Sequence, residues 1–149
     1  MIDVSDFQPA DAIEGEDEED TEQLRTQFHE ACDYLSGFSW SEPIEQAYFA
    51  FGVGGIFALF LFVLEKAVGG TDKELWIVVG DLPSAYFVTE GVETVDEAID
   101  TYCSLMEDWV LSVEQDDMET RVFPVDASRT RANAEMLKTR IAFLRDNFL

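Results

Sequence analysis

The side chains able to do chemistry in this chain are mostly carboxylates, joined by one histidine and two cysteines. His29 and Asp33 are four residues apart, a spacing that puts two metal ligands on one face of a helix. His29 and Glu30 match the start of the zinc-protease pattern H-E-x-x-H. Asp33, however, stands where the second histidine belongs, and the chain has no other histidine. Cys32 falls on an apolar helical stripe, which predicts a buried side chain and not a nucleophile. We therefore predict no metal site, no cofactor and no catalytic set.

A second candidate is the break Gly80-Asp81-Leu82-Pro83, which follows an apolar run. Asp81 at the rim of a sheet could serve as a ligand or as a general base. The alternative is a simple turn, in which glycine supplies backbone freedom and proline fixes the exit. Two aromatic residues join Asp81 as candidates for a ligand or interface site, Trp40 in a predicted loop and Tyr86 after the break. A loop tryptophan is either an interface anchor or a lid on the core.

The strongest compositional signal is acidity, with 32 acidic residues against 9 basic ones and a net charge of −23. Such a charge repels phosphate and therefore argues against direct nucleic-acid binding. It attracts basic proteins, although a solvated surface or adaptation to high salt are alternatives. One predicted helix, over 94–113, concentrates the acids within about a third of its circumference. The candidate residues for binding a basic partner are Asp96, Glu97, Asp100, Glu107 and Asp108.

The last predicted helix carries the opposite charge. Arg131, Lys138 and Arg145 repeat every seven residues along one margin of its apolar stripe. Basic side chains at such a margin lay their stems over apolar surface and reach acids beyond it. We expect this helix to dock within the protein itself, on an otherwise acidic body.

Periodicity predicts an α+β fold, an antiparallel meander of three to four strands covered by helices. In the run 56–64, the odd-numbered and the even-numbered residues are all apolar, which is typical of a strand buried on both faces. A transmembrane span over 47–64 is disfavoured, because three glycines split it and its flanks lack clustered bases. The expected strands are at about 55–66, 73–80, 84–89 and, as an optional edge, 121–125. The expected helices are at about 21–36, 42–51, 94–113 and 128–148.

The first 20 residues contain few apolar groups and a block of acids, so we expect a disordered or loosely held tail. Residues 21–149 are predicted to form a single α+β domain. The first ten residues show no signal peptide, and neither cysteine suggests a disulfide framework. These features favour a cytoplasmic protein without a membrane anchor.

One stretch resembles known proteins. The segment Leu75-Trp76-Ile77-Val78-Val79-Gly80-Asp81-Leu82-Pro83-Ser84-Ala85-Tyr86, with Ala134-Glu135-Met136-Leu137 and Arg140-Ile141, is similar to small acidic bacterial proteins of uncharacterised function. Some of those resemble immunity proteins, which neutralise secreted toxins. The resemblance includes no catalytic motif and implies no functional residue.

Three functional hypotheses follow from the sequence. The first is an acidic binding module for a basic protein, with an immunity or inhibitor protein as its most concrete form. The second is a homo-oligomeric structural protein, such as a homodimer, in which a second subunit covers the two-sided strands. The third is a small-ligand-binding protein or enzyme that uses the break at Gly80–Pro83.

Overall fold

The computed structural model describes residues 2–41, 43–68 and 72–149 and has the predicted α+β class. Five antiparallel strands form one sheet, and three helices accompany it. The strands are β1 (Gln8–Pro9), β2 (Ile44–Val53), β3 (Phe57–Val68), β4 (Asp72–Gly80) and β5 (Ala85–Val88). The helices are α1 (Glu18–Ser36), α2 (Val95–Glu114) and α3 (Arg131–Phe148).

Backbone contacts divide the chain into two compact units. The first unit, Met1–Val95, contains the whole sheet and α1. The second unit, Asp96–Leu149, contains α3 and all but the first residue of α2. The expected single domain over 21–149 stays a prediction.

The sheet is a meander whose strands follow the order β1-β2-β3-β4-β5. The predicted strands at 55–66, 73–80 and 84–89 are confirmed as β3, β4 and β5. In the centre of the sheet, Phe60 pairs with Ile77 and Leu61 pairs with Trp76. No helix of the described residues is long and apolar enough to cross a membrane.

The two central strands bury both of their faces, as their two-sided apolar pattern predicts. On one face, Phe60, Phe62 and Ile77 join a core with Leu24 and Leu35 of α1. The opposite face is also buried, with every one of its main side chains 1% exposed or less. These are Phe57, Leu59, Leu61, Trp76 and Val78. Burying each large apolar side chain contributes about 1.5–3 kcal/mol, so β3 and β4 provide much of the stability of the first unit.

The helix predicted over 42–51 is wrong, because residues 44–53 form β2 instead; residue 42 lies outside the described residues. The helical prediction rested on apolar residues at spacings of three and four, namely Ile44, Ala47, Tyr48 and Phe51. Beside β3, however, the backbone of this segment satisfies its hydrogen bonds through a sheet ladder. Pairing with an apolar neighbour thus overrides a weak local helical pattern.

Register irregularities in β2 explain why apolar and polar residues do not alternate regularly along this strand. The ladder with β3 shifts register between Ile44 and Gln46 and again between Phe49 and Phe51. An extra residue in one strand moves the following side chains to the other face. Phe49 therefore packs on Phe60, with ring centroids 5.8 Å apart, whereas Phe51 packs on Phe57 on the opposite face.

The optional strand at 121–125 does not form, and those residues are irregular. Pro124 has no amide hydrogen to offer a ladder. The remaining strands of the sheet are β2 and β1, and β1 pairs Gln8 with Phe49.

The described part of the expected tail, residues 2–20, packs onto the first unit. Ile13 is fully buried, and Ile2 is 6% exposed. A few well-placed apolar residues are enough to anchor this segment, although its composition is that of a disordered chain.

The acidic block within this segment starts α1 earlier than predicted. Asp17 is the N-cap, and its carboxylate accepts a hydrogen bond of 2.7 Å from the Asp20 amide. Acidic side chains are favourable in the first turn of a helix, where the peptide dipoles present positive charge. At the other end, the buried Ser41 hydroxyl donates to the Leu35 carbonyl oxygen at 2.6 Å.

We predict that Gly80→Ala lowers the free energy of unfolding by about 2–4 kcal/mol, because strained backbone and a steric clash act together. Gly80 has φ +142°, and an added Cβ would meet the backbone at Ile56 and lie 2.6 Å from Phe57 Cα. Gly37→Ala is the matched control, since Gly37 has φ −72° and a Cβ there would make an ordinary contact. The control is expected to change stability by less than about 1 kcal/mol. Urea denaturation measures the free energy of unfolding of both variants, and an equal loss of stability in the two would contradict the prediction.

Candidate functional site

The predicted acidic face is formed on α2. At 100° per residue, its five acids span about 120° of the helix. All five side chains are exposed. Leu111 lies at the middle of this arc and is 51% exposed. Along the helix axis Leu111 follows all five acids, so the face carries one apolar side chain at its C-terminal end.

Part of this face is occupied by an arginine of the same unit. Arg145 of α3 holds Glu107 in a two-point contact, with Nη2 2.7 Å from Oε1 and Nε 3.3 Å from Oε2. Its Nη1 donates to Asp100 Oδ1 at 2.8 Å. These carboxylates raise the pKa of the Arg145 guanidinium above its ordinary value. The acidic face is thus able to bind a guanidinium group with two carboxylates at once.

Two further contacts hold the helix pair together. Lys138 Nζ lies 3.2 Å from Glu114 Oε2, so Lys138 and Arg145 both meet acids of α2, as the heptad spacing predicts. Arg129 donates from Nη2 to the carbonyl oxygens of Ser112, at 3.3 Å, and Asp117, at 3.0 Å. A basic group at these carbonyls is favourable at the C-terminal end of a helix.

An open groove of about 460 Å³ lies between α2 and α3. Its floor is apolar and its rim is charged. The floor contains Val110, Leu111, Ile141 and Ala142, and the rim contains Glu107, Glu114, Lys138, Arg145 and Asp146. An apolar centre with a charged rim is the usual anatomy of a protein-binding surface.

Sequence reasoning missed the apolar part of this site. Leu111 lies off the buried stripe of α2, and its helical angle could have marked it as an exposed leucine within the acidic arc. Ile141 and Ala142 could not have been found in this way, because only the packing of α3 brings them to the groove.

The structure brings two other candidates together. Trp40 and Tyr86 are in contact, with ring centroids 5.0 Å apart, and Phe38 touches both. Tyr34 completes a half-buried aromatic cluster against Phe38. Burial raises the pKa of Tyr34 to about 12, and the neighbouring Tyr86 adds to the shift. The cluster joins the core beneath α1, which supports the interpretation of Trp40 as a lid.

Asp81 is exposed in the connection from β4 to β5. Its amide donates to the Ile56 carbonyl oxygen at 2.9 Å. Tyr86 pairs with Ile77, which is three residues before Gly80 in β4, or about 10 Å at 3.3 Å per residue.

The nucleophilic and metal-ligating side chains are scattered. Cys103 is fully buried, and desolvation raises the pKa of its thiol to about 11, while Arg145 acts in the opposite direction. Burial likewise raises the pKa of Cys32. Among the described residues, no three His, Cys, Asp or Glu side chains converge as ligands for a metal ion.

Comparisons with protein-family models, curated proteins and solved structures found no match to this chain.

We predict that Arg145→Gln lowers the free energy of unfolding by about 1 kcal/mol or less at low salt, because the pairs are partly exposed. The loss should shrink as salt screens the charges. Arg131→Gln removes the same charge from the same helix and is the control, since Arg131 has no ion-pair partner among the described residues. Urea denaturation at low and high salt separates the two. A loss shared by both variants would show that net charge, and not the Arg145 contacts, is responsible.

We predict that Cys103 makes the protein less stable as the pH rises from about 9 towards 11. The thiol has an ordinary pKa of 9.0 and a folded pKa of about 11, so the unfolded chain ionises first. The unfolded state then binds fewer protons than the folded state, and the free energy of unfolding falls by about 1 kcal/mol at pH 10. Urea denaturation from pH 8 to 10 measures the free energy of unfolding of the unaltered protein and of the Cys103→Ala variant.

Tyr34, which also loses its proton at alkaline pH, is present in both proteins and cancels in this comparison. Parallel pH profiles for the two proteins would refute the prediction.

Proposed function

We propose that this chain is a small acidic protein-binding module that engages a basic protein partner through the groove between α2 and α3. The observation that carries the proposal is the half-exposed Leu111, set in the acidic arc of α2 at an open groove. An exposed apolar side chain inside a charged rim gives a partner both an anchor and a sign of charge to match.

Two further observations support a basic partner. The net charge of −23 attracts positively charged proteins and speeds their association. The acidic face holds the Arg145 guanidinium between Asp100 and Glu107, and a partner's arginine would use the same kind of contact. Asp96, Glu97 and Asp108 complete the proposed surface.

An immunity or inhibitor protein is the most concrete form of this proposal. Such a protein needs a complementary surface and no catalytic residues. The resemblance to small acidic bacterial proteins points in the same direction, and a cytoplasmic location would suit this role.

We predict that a basic protein is captured from the native host at low salt and is released as salt rises. Leu111→Ser should weaken capture of that protein by about tenfold or more, as for a central interface residue. Asp96→Asn with Asp108→Asn should slow association and reduce the dependence on salt. Binding is measured with the purified partner by surface plasmon resonance.

Matched controls make the same kinds of substitution outside the proposed binding surface. Met118→Ser removes an exposed apolar side chain outside the groove, and Asp6→Asn with Asp11→Asn removes the same charge from the first unit. Both controls should bind like the unaltered protein. The groove would be rejected as the binding site if the affinity of the partner did not change with salt. It would also be rejected if the groove variants and the control variants lowered the affinity equally.

A homo-oligomeric structural protein is the second candidate, and one observation favours it. Most of the exposed large apolar side chains recorded for the described residues fall in the second unit, and Met136 and Phe143 are seven residues apart on α3. Two turns of helix place such residues on one face. Met136 is 53% exposed and Phe143 is 42% exposed.

Salt separates the two candidates. Two copies of a chain with charge −23 repel each other, so self-association should strengthen with salt, whereas a basic partner should be released. Light scattering at low and high salt reports the self-association. A dimer that Met136→Ser with Phe143→Ser abolishes would favour the second candidate.

A further inference from the structure

The groove between α2 and α3 is a short slot that is closed at both ends. Lys138 and Glu114 form an ion pair of 3.2 Å, and Arg145 and Glu107 form one of 2.7 Å. In each helix the two paired residues are seven positions apart, or about 10.5 Å at 1.5 Å per residue. All four residues line the groove, so the two ion pairs bracket it at this spacing.

The space between the two ion pairs is apolar. Of the floor residues, Val110 and Ile141 are almost fully buried, whereas Leu111 and Ala142 are exposed. The volume of about 460 Å³ lies within the range of pockets that hold small ligands. An apolar group that fills this space would remove the exposed surface of Leu111 from water, which is favourable.

The closed ends limit what the groove can hold. A helix with its side chains is about 10–12 Å wide, so a helix laid along the groove would have to break both ion pairs. A single side chain the size of leucine or phenylalanine can enter between the pairs and leave them intact. The slot therefore suits one apolar side chain.

The charges that line the slot do not cancel. Three acids and two bases line it, and the two bases are already paired with Glu107 and Glu114. Asp146 is the remaining acid; it is exposed and has no ion-pair partner among the described residues. One positive charge beside the apolar side chain would complete the balance, whereas a negative charge would be repelled.

We propose that the slot takes one large apolar side chain of the partner, and that a lysine or arginine next to it in the partner's sequence pairs with Asp146. Asp146 is one helical turn from Ala142 on the floor, about 6 Å along the axis, which a neighbouring residue can reach. This inference rests on the proposed function, because it names what the partner inserts into the groove. The apolar side chain supplies affinity by covering Leu111, and the cation supplies specificity.

The test uses N-acetyl-Phe-Arg amide as the probe and follows the ¹³C-labelled methyl groups of the whole chain by NMR. N-acetyl-Phe-citrulline amide keeps the ring and loses the charge, whereas N-acetyl-Ala-Arg amide keeps the charge and loses the ring. We expect saturable shifts of the Leu111 and Ile141 methyl groups with the first probe. Affinity should fall about fivefold for the citrulline analogue, as for the loss of an exposed ion pair. It should fall about tenfold or more for the alanine analogue, which loses the buried ring.

Variants assign the two contacts. Asp146→Asn should weaken the Phe-Arg probe about fivefold and leave the Phe-citrulline probe unchanged, and Leu111→Ser should weaken both about fivefold. Glu135→Gln removes an exposed acid of α3 outside the slot, and Met118→Ser removes an exposed apolar side chain outside it. Both controls should bind every probe like the unaltered protein.

The unaltered protein alone can overturn the proposal, whether or not each variant folds. Equal affinity for the Phe-Arg and Phe-citrulline probes would overturn the contact with Asp146. If the Leu111 and Ile141 methyl groups showed no saturable shift, the slot would be rejected as a site for one side chain. Shifts of the same methyl groups with rising protein concentration, in the absence of any probe, would assign the slot to a second copy of the chain and overturn the proposal.

The captured partner separates failure of this inference from failure of the proposed function. Suppose that the partner needs Leu111, binds the Asp146→Asn variant as tightly as the unaltered protein, and is not displaced by the Phe-Arg probe. The proposed function would then stand, and this inference would be overturned. If the probe bound as described but no basic protein were captured at low salt, the selectivity of the slot would be supported and the proposed function rejected.

Discussion

The first unit depends on the burial of both faces of β3 and β4. Phe60 and Ile77 face α1, while Leu61 and Trp76 point the other way and are equally buried. Apolar surface on two faces of one sheet cannot be satisfied by a single layer, and α1 covers the face that bears Phe60 and Ile77. This requirement fixes the register, because a slip by one residue would exchange the two faces. It also explains the close approach at Gly80, where the turn after β4 runs against Ile56 and Phe57.

The acidic residues of this protein have several different structural roles. Asp17 caps α1, and Asp20 binds the turn between β2 and β3. Asp117 orders the loop after α2 by accepting from Thr120, and those hydrogen bonds lower the pKa of its carboxyl. Other acids of α2, including Asp96 and Asp108, are exposed. Mutual repulsion among so many carboxylates destabilises a compact state. Arg145 and Lys138 of α3 offset part of this repulsion.

The strands at the centre of the sheet could be predicted from sequence, since β3 and β4 are long, apolar on both faces and bounded by glycine. The helix predicted over 42–51 failed for a physical reason. The register irregularity between Phe49 and Phe51 carries these two side chains to opposite faces, and the resulting spacing mimics a helix. The folding of residues 2–13 was equally hidden, because the buried Ile2 and Ile13 are isolated in an acidic stretch and gain their partners only from distant segments.

For the candidate sites, the sequence by itself determined the sign of the charge, the acidic arc of α2 and the basic margin of α3, because helical periodicity fixes which side chains share a face. Only the tertiary structure decided that Arg145 would meet Asp100 and Glu107, and that Trp40 would reach Tyr86. These contacts join residues 38 to 46 positions apart. Local patterns carry no information about such distances, which are set by how the elements pack within each unit.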